Sequence, residues 1–237
     1  AVGQNVITVS TLAFDENTET YTIIVNRSEP TLAWDGSREA YEGSGTADDP
    51  YLISNGAQLK YFADQINNVD PAGGKYMFAN KYVKLTADIY LNDISNYDNW
   101  ATEAPANNWT PIGDYATWQN CKAFSGTFDG DGHTIYGLYV NTTAQYAGFF
   151  NTTAFTSVTI KNLKFENAYV SGGNYTGGIV GRAVDTLILE NCGFNGKVVS
   201  TGSYIGGLVG NYYGKADNTL TIKNTYAAGE VKGFWST

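Results

Sequence analysis

The sequence predicts an all-β fold, a parallel β-helix in which short strands stack coil upon coil. Three observations predict it. A motif recurs every 29 residues in the second half of the chain; the apolar runs are only three to five residues long and are split by Gly, Asn or Ser; and 27 Gly and 18 Tyr stand among 237 residues. Gly, Tyr, Thr, Asn and Val outnumber the strong helix formers, which argues against a helical architecture. The length suits one large domain or two smaller ones with a proper core.

The repeat is explicit. Tyr146-Ala147-Gly148-Phe149-Phe150 is followed by Tyr175-Thr176-Gly177-Gly178-Ile179-Val180-Gly181 and by Tyr204-Ile205-Gly206-Gly207-Leu208-Val209-Gly210, the tyrosines 29 and 29 apart. Asn162 recurs as Asn191 after 29 residues and as Asn224 after 33, the extra residues falling in the loop from Gly214 to Asn218. Each Asn follows an apolar run: Val158-Thr159-Ile160, Leu187-Ile188-Leu189 and Leu220-Thr221-Ile222. Thr134-Ile135-Tyr136-Gly137-Leu138 resembles a shortened earlier copy. Strands this short cannot fold alone and must pair with their counterparts one coil away. Helical repeats of similar period conflict with the composition, and a propeller blade needs about 40–45 residues.

This reading gives each repeated residue a structural task. Ile160, Ile188 and Ile222 are expected to form an apolar ladder, and Phe165 and Phe194 a second. Gly148, Gly177, Gly178, Gly206 and Gly207 are expected at tight corners, where positive φ or close backbone approach is required. Asn162, Asn191 and Asn224 are expected to turn a corner in the left-handed region and to bond coil to coil through their amides.

The first third differs. Val6–Val9 and Tyr21–Val25 read as two strands around the polar Asp15-Glu16-Asn17, so residues 1–33 form a strand pair, and 34–237 the β-helix domain. Glu29–Asp49, polar and Gly-rich, reads as linker or loop. Residues 55–67 are the one good helix: Leu59, Phe62, Ala63 and Ile66 make one apolar face, with Ser54 or Asn55 as N-cap. It is placed to cap the open end of the coils. Tyr82–Leu85 and Asp88–Leu91 read as early coil strands, and Asn92–Asn108 as a projecting loop. At the other end, the next repeat tyrosine would fall at 237, which is Thr237. Further repeats, a cap made by Gly233-Phe234-Trp235, or another chain would cover that edge.

In order along the chain stand Gly43-Ser44-Gly45-Thr46, Asp49-Pro50-Tyr51-Leu52-Ile53-Ser54, Leu85-Thr86-Ala87-Asp88-Ile89, Trp109-Thr110-Pro111-Ile112-Gly113, Phe124-Ser125-Gly126-Thr127-Phe128-Asp129-Gly130-Asp131-Gly132-His133-Thr134-Ile135 and the Tyr-x-Gly-Gly copies. This series resembles the GLUG-repeat family of bacterial secreted and cell-surface proteins over residues 34–232. The resemblance implies a right-handed β-helix at the cell surface or secreted, and no characterised activity. Such repeats also accompany IgA-cleaving metallopeptidases, but a single His leaves no His-Glu-x-x-His here. Tyr21–Arg27 resembles the closing strand of cadherin-like bacterial sandwich domains.

Composition bounds the chemistry. A net charge of −9 argues against nucleic acid, since nothing could neutralise a run of phosphates. No apolar run reaches the roughly 18 residues of a membrane span. One His, three Arg and two Cys leave little for His-centred catalysis, metal binding or disulfides. Cys121 and Cys192 are expected as buried thiols. Asp129-Gly130-Asp131-Gly132 superficially resembles a calcium loop, but position 5 is His133 and position 12 is Val140, so a tight corner is expected. No cofactor and no metal are expected. The alternative function is a polysaccharide lyase or glycoside hydrolase, which needs a base or two carboxylates on neighbouring coils; Glu166, Asp185, Glu190, Glu230 and the lone repeat cation Arg182 form no visible set. The expected function is therefore a non-enzymatic adhesin-like or stalk-like surface module, with a glycan or surface protein as partner. Tyr97, Trp100, Trp109, Tyr115, Trp118, Tyr212 and Tyr213 are the candidate binding aromatics.

Overall fold

The computed structural model describes residues 3–12, 18–27, 33–67, 76–115, 117, 121–154 and 156–233. The chain divides into two units, Ala1–Leu32 and Ala33–Thr237. In the first, strand Gly3–Leu12 pairs antiparallel with Thr18–Arg27, Leu12 opposite Thr18 and Gly3 opposite Arg27.

The second unit is a parallel β-solenoid of about six turns. Its first sheet stacks Tyr51–Ile53, Tyr82–Leu85, Thr127–Asp129, Val158–Lys161, Leu187–Glu190 and Leu220–Lys223 in that order. The second stacks Ile89–Tyr90, Thr134–Tyr136, Lys164–Gly172, Gly193–Ser200 and Tyr226–Gly233, with Tyr139–Asn141 also pairing with Lys164–Gly172. The third stacks Tyr76–Met77, Cys121–Phe124, Phe150–Thr153, Val180–Val184 and Val209–Tyr213. All of these pairings are parallel; Asp114–Tyr115 adds an antiparallel strand beside Cys121–Phe124.

Register follows the repeat. Val158–Lys161 aligns with Leu187–Glu190 and then with Leu220–Lys223. Side chains alternate across a strand, so one residue in two turns inward. The inward column of the first sheet is Val83, Phe128, Ile160, Leu189 and Ile222. This corrects the expected isoleucine ladder: Ile188 aligns with Thr159 and Thr221 and sits on the other face. A one-residue offset in strand reading moves a side chain to the opposite face. The phenylalanine ladder is as expected: Phe165 stands opposite Phe194, ring centroids 6.1 Å apart, with Ile135 on the preceding coil and Ala227 on the following one.

The predicted helix runs over Gly56–Asn67 (α1). Asn55 rather than Ser54 is the cap, its Oδ1 accepting the Gln58 backbone N–H at 2.9 Å, while Gln58 Oε1 accepts from the Ser54 backbone N–H at 2.8 Å. Leu59, Phe62, Ala63 and Ile66 are buried in the solenoid core, Phe62 edge-on to Phe78 and Phe124. The stretch expected as linker or loop is partly built in: Trp34 N–H donates to Tyr90 O at 2.8 Å and its ring meets Trp109 edge to face.

The expected projecting loop is also corrected. Asn92–Asn108 carries a 3₁₀ turn at Tyr97–Asn99 and folds down, so that Trp100 is buried against Tyr139. Asn92 anchors it, accepting from Asn107 N–H at 2.7 Å and donating to Gly137 O at 3.0 Å. The apolar surface of Trp100 outweighs the polar composition around it.

Candidate functional site

Two outer surfaces of the solenoid carry polar or aromatic chemistry. The first is the corner after each first-sheet strand. Asn162, Asn191 and Asn224 take φ of 52°, 53° and 49°, as their repetition predicts. Asn162 Nδ2 donates to Asp129 Oδ1 at 2.9 Å, Asn191 Nδ2 to Asn162 Oδ1 at 3.1 Å, and Asn224 Nδ2 to Asn191 Oδ1 at 3.2 Å. One carboxylate thus terminates a ladder of three amides. Burial pushes the Asp129 carboxyl up, but the hydrogen bonds from Asn162, the Asp131 N–H and Lys161 outweigh it and hold it below the ordinary carboxylate range. Asp129-Gly130-Asp131-Gly132 is a tight corner, with Asp131 at φ 49° and its N–H donating to Asp129 Oδ1. His133 Nδ1 lies 3.3 Å from Asp88 Oδ1. Two coils on from Asp129, Lys223 Nζ reaches Glu190 Oε1 at 2.8 Å, and that hydrogen bond and charge hold Glu190 low as well.

The second surface is the Tyr-x-Gly-Gly corner. Here the expectation is half corrected. None of Gly148, Gly177, Gly178, Gly206 and Gly207 has positive φ; the tyrosine before each does, at 62° (Tyr146), 62° (Tyr175) and 64° (Tyr204). The glycines answer to close approach instead: a Cβ on Gly177 would stand 2.3 Å from Val180 O and 2.5 Å from Gly210 N. The tyrosine rings stack coil on coil, at 5.0 Å from Tyr146 to Tyr175 and 4.9 Å from Tyr175 to Tyr204, their planes nearly parallel. An aromatic side chain in the left-handed region is held there by its stacked neighbours and by backbone bonds such as Tyr146 N–H to Asn174 O at 2.9 Å.

Arg182 sits beside this stack. Its Nη1 donates to Tyr146 OH at 3.2 Å, and its Cζ lies 4.4 Å from the Tyr115 ring and 5.2 Å from that of Tyr213. The described residues hold five buried side-chain polar atoms without a partner, on Asn151, Thr152, Thr153, Arg182 and Tyr212. All five residues lie on three adjacent strands of the third sheet. The sequence singled out Arg182 and Tyr212, and gave no signal for Asn151, Thr152 and Thr153.

The candidate aromatics divide. Tyr115 and Tyr213 flank Arg182, and Tyr213 is exposed. Tyr212 is half-buried against the core. Tyr97 is half-buried, donates to Ala168 O at 3.0 Å and is pushed up to about 12 by burial, with the nearby Asp98 charge adding to it. Trp100 and Trp109 are both buried; Trp109 stacks on Phe149 at 5.5 Å, so neither offers a ring face to a ligand. Trp118 lies outside the described residues. Cys121 and Cys192 are buried thiols, and burial pushes that of Cys192 up. Among the described residues no group of three His, Cys, Asp or Glu is placed to hold a metal ion, and no helix is long and apolar enough to cross a membrane.

No family model matches the chain. It is 33% identical over 150 residues to Halomucin of Haloquadratum walsbyi. It is 28% identical over 130 residues to a protein of Evansella cellulosilytica that bears the provisional name Gly-rich membrane protein. These matches take in 62% and 54% of the chain but span only 1% and 12% of the two relatives. Among solved structures, a Bacteroides ovatus chain provisionally named an immunoglobulin A1 protease is 21% identical, with a TM-score of 0.38, over 81% of this chain and 70% of that one.

Proposed function

We propose that this chain is a non-enzymatic surface module, a right-handed β-helix of the GLUG type capped at its first coils by α1, which presents outer loops and aromatics to a glycan or protein partner. The observation that carries it is how the carboxylates are used. Asp129 and Glu190 spend their carboxylate oxygens on Asn162 and Lys161 and on Lys223 within the coil stack, whereas a glycosidase needs two carboxyls free to face a substrate. The corners bind one coil to the next, and the partner surface remains for the loops. The one relative named for a membrane supports a location at the cell surface.

A glycan array probed with the purified chain, read beside reducing-sugar and unsaturated-uronate assays on the same polysaccharides, tests the proposal. Binding without turnover is expected. Turnover of any polysaccharide overturns it.

A further inference from the structure

Asn67, Pro111, Asp114, Gln145, Tyr146 and Asn151 line a cleft of about 320 Å³ in the solenoid unit. That is the small end of the roughly 300–1,000 Å³ typical of small-ligand pockets. Its walls come from four separate places: the end of α1, the segment before Asp114–Tyr115, the loop ahead of the Tyr146 corner, and the strand Phe150–Thr153.

Hydrogen bonds lock these pieces together. Asn67 Oδ1 accepts from Gly113 N–H at 2.6 Å, and its Nδ2 donates to Pro111 O at 3.2 Å. Ile112 N–H donates to Phe149 O at 3.0 Å, and Asn151 N–H donates to Ile112 O at 2.7 Å. The Tyr146 ring is fixed by stacking on Tyr175 and by Tyr115, 5.5 Å away and edge to face. A cleft with a fixed wall and floor spends little binding energy on ordering itself.

The chemistry of the lining selects the ligand. Asn151 Oδ1 is buried without a hydrogen-bond partner. A carboxamide accepts through oxygen and donates through nitrogen, a pattern that two adjacent hydroxyls match. Asp114 adds an exposed carboxylate acceptor, and Gln145 an exposed amide. The described lining supplies one carboxylate, Asp114, and no Lys or Arg side chain; the neighbouring cations are already engaged, Lys122 Nζ on Asn67 O at 2.6 Å and Arg182 Nη1 on Tyr146 OH at 3.2 Å. The geometry points to this cleft as the binding site for a neutral, hydroxyl-rich pyranose unit of a glycan. The inference rests on the proposed role as a binding module and deepens it by naming the site and the sugar class.

Saturation-transfer NMR of the full chain with glucose, galactose, mannose and N-acetylglucosamine as separate probes tests it. Transfer to at least one sugar is expected. It should vanish in Gln145→Trp, which fills the cleft from an exposed position, and Asn151→Ala should weaken Kd about tenfold, the loss of one hydrogen-bonded pair. If Gln145→Trp does not fold, Asp114→Leu at the exposed rim supplies the same comparison. No transfer to any probe, or undiminished transfer in the folded cleft variant, overturns the site. Array binding that survives Gln145→Trp sinks this cleft and leaves the surface-module proposal standing; polysaccharide turnover sinks that proposal instead.

Discussion

Within the 237 residues of this chain, the inner coils and the coil from Val209 to Gly233 are built from the same repeat but have different surroundings. In the first-sheet column, Val83, Phe128, Ile160 and Leu189 are fully buried, while Ile222, in register with them, is 46% exposed. The second sheet shows the same step: Val170 and Val198 are buried and their partner Val231 is 51% exposed. In the tyrosine stack, Tyr204 is exposed where Tyr175 is covered on both ring faces. A residue in a solenoid therefore contributes through its neighbours on both sides, and its identity alone does not set its worth.

Truncation separates these two environments most sharply. Leu189→Ala is expected to cost about 2–5 kcal/mol, the range for a fully buried Leu, whereas Ile222→Ala should cost about 1 kcal/mol or less. Urea denaturation of both variants checks this; equal losses would break the comparison.

The amide ladder sharpens it at intermediate size. Asn162 both donates to Asp129 and accepts from Asn191, while Asn224 only donates. Replacing Asn162 with Ala removes two bonds and puts a Cβ-bearing residue without a local side-chain bond at positive φ, for an expected loss of about 1–3 kcal/mol. Asn224→Ala should lose less. Asn162→Gly, which restores the backbone freedom but not the bonds, should fall between wild type and Asn162→Ala in thermal melting.

The smallest effect is electrostatic. The carboxyls of Asp129 and Glu190 both sit below their ordinary values when folded, so each contributes stability in full above its unfolded pKa, near about 4, and loses it as pH falls through the lower folded value. Asp129→Asn should flatten the acid limb of a stability–pH curve below about pH 4. Glu190→Gln should flatten it less, because its partner Lys223 lies in solvent and salt screens the pair. A larger effect from Glu190→Gln would contradict this ranking.

Much of this architecture was legible in the sequence because a solenoid writes its geometry as a period. The 29-residue step placed Asn162 over Asn191 and Phe165 over Phe194, and the left-handed asparagines follow from a short polar side chain that, like Asp, tolerates that region. The step could not say which face an apolar residue takes inside a three-residue run, and Ile188 was assigned to the wrong one. The corner tyrosines were hidden because positive φ is ordinarily ascribed to the adjacent glycines; the stacked rings that stabilise it join coils 29 residues apart. Trp100 and Trp109 looked like binding aromatics because their neighbours are polar, yet tertiary burial decided their place. Trp109 carried one usable sign, the following Ile112, which bridges to Phe150 in the core. The cleft beside Tyr146 gathers residues from 67 to 151 and left no local pattern at all.

Native-state hydrogen exchange, resolved by residue, tests the stacking account most directly. If coils hold one another, amides of Val158–Lys161 and Leu187–Glu190 exchange only through global unfolding, and those of Leu220–Lys223 and Tyr226–Gly233 exchange faster through local opening. Equal protection across all four strands would contradict it.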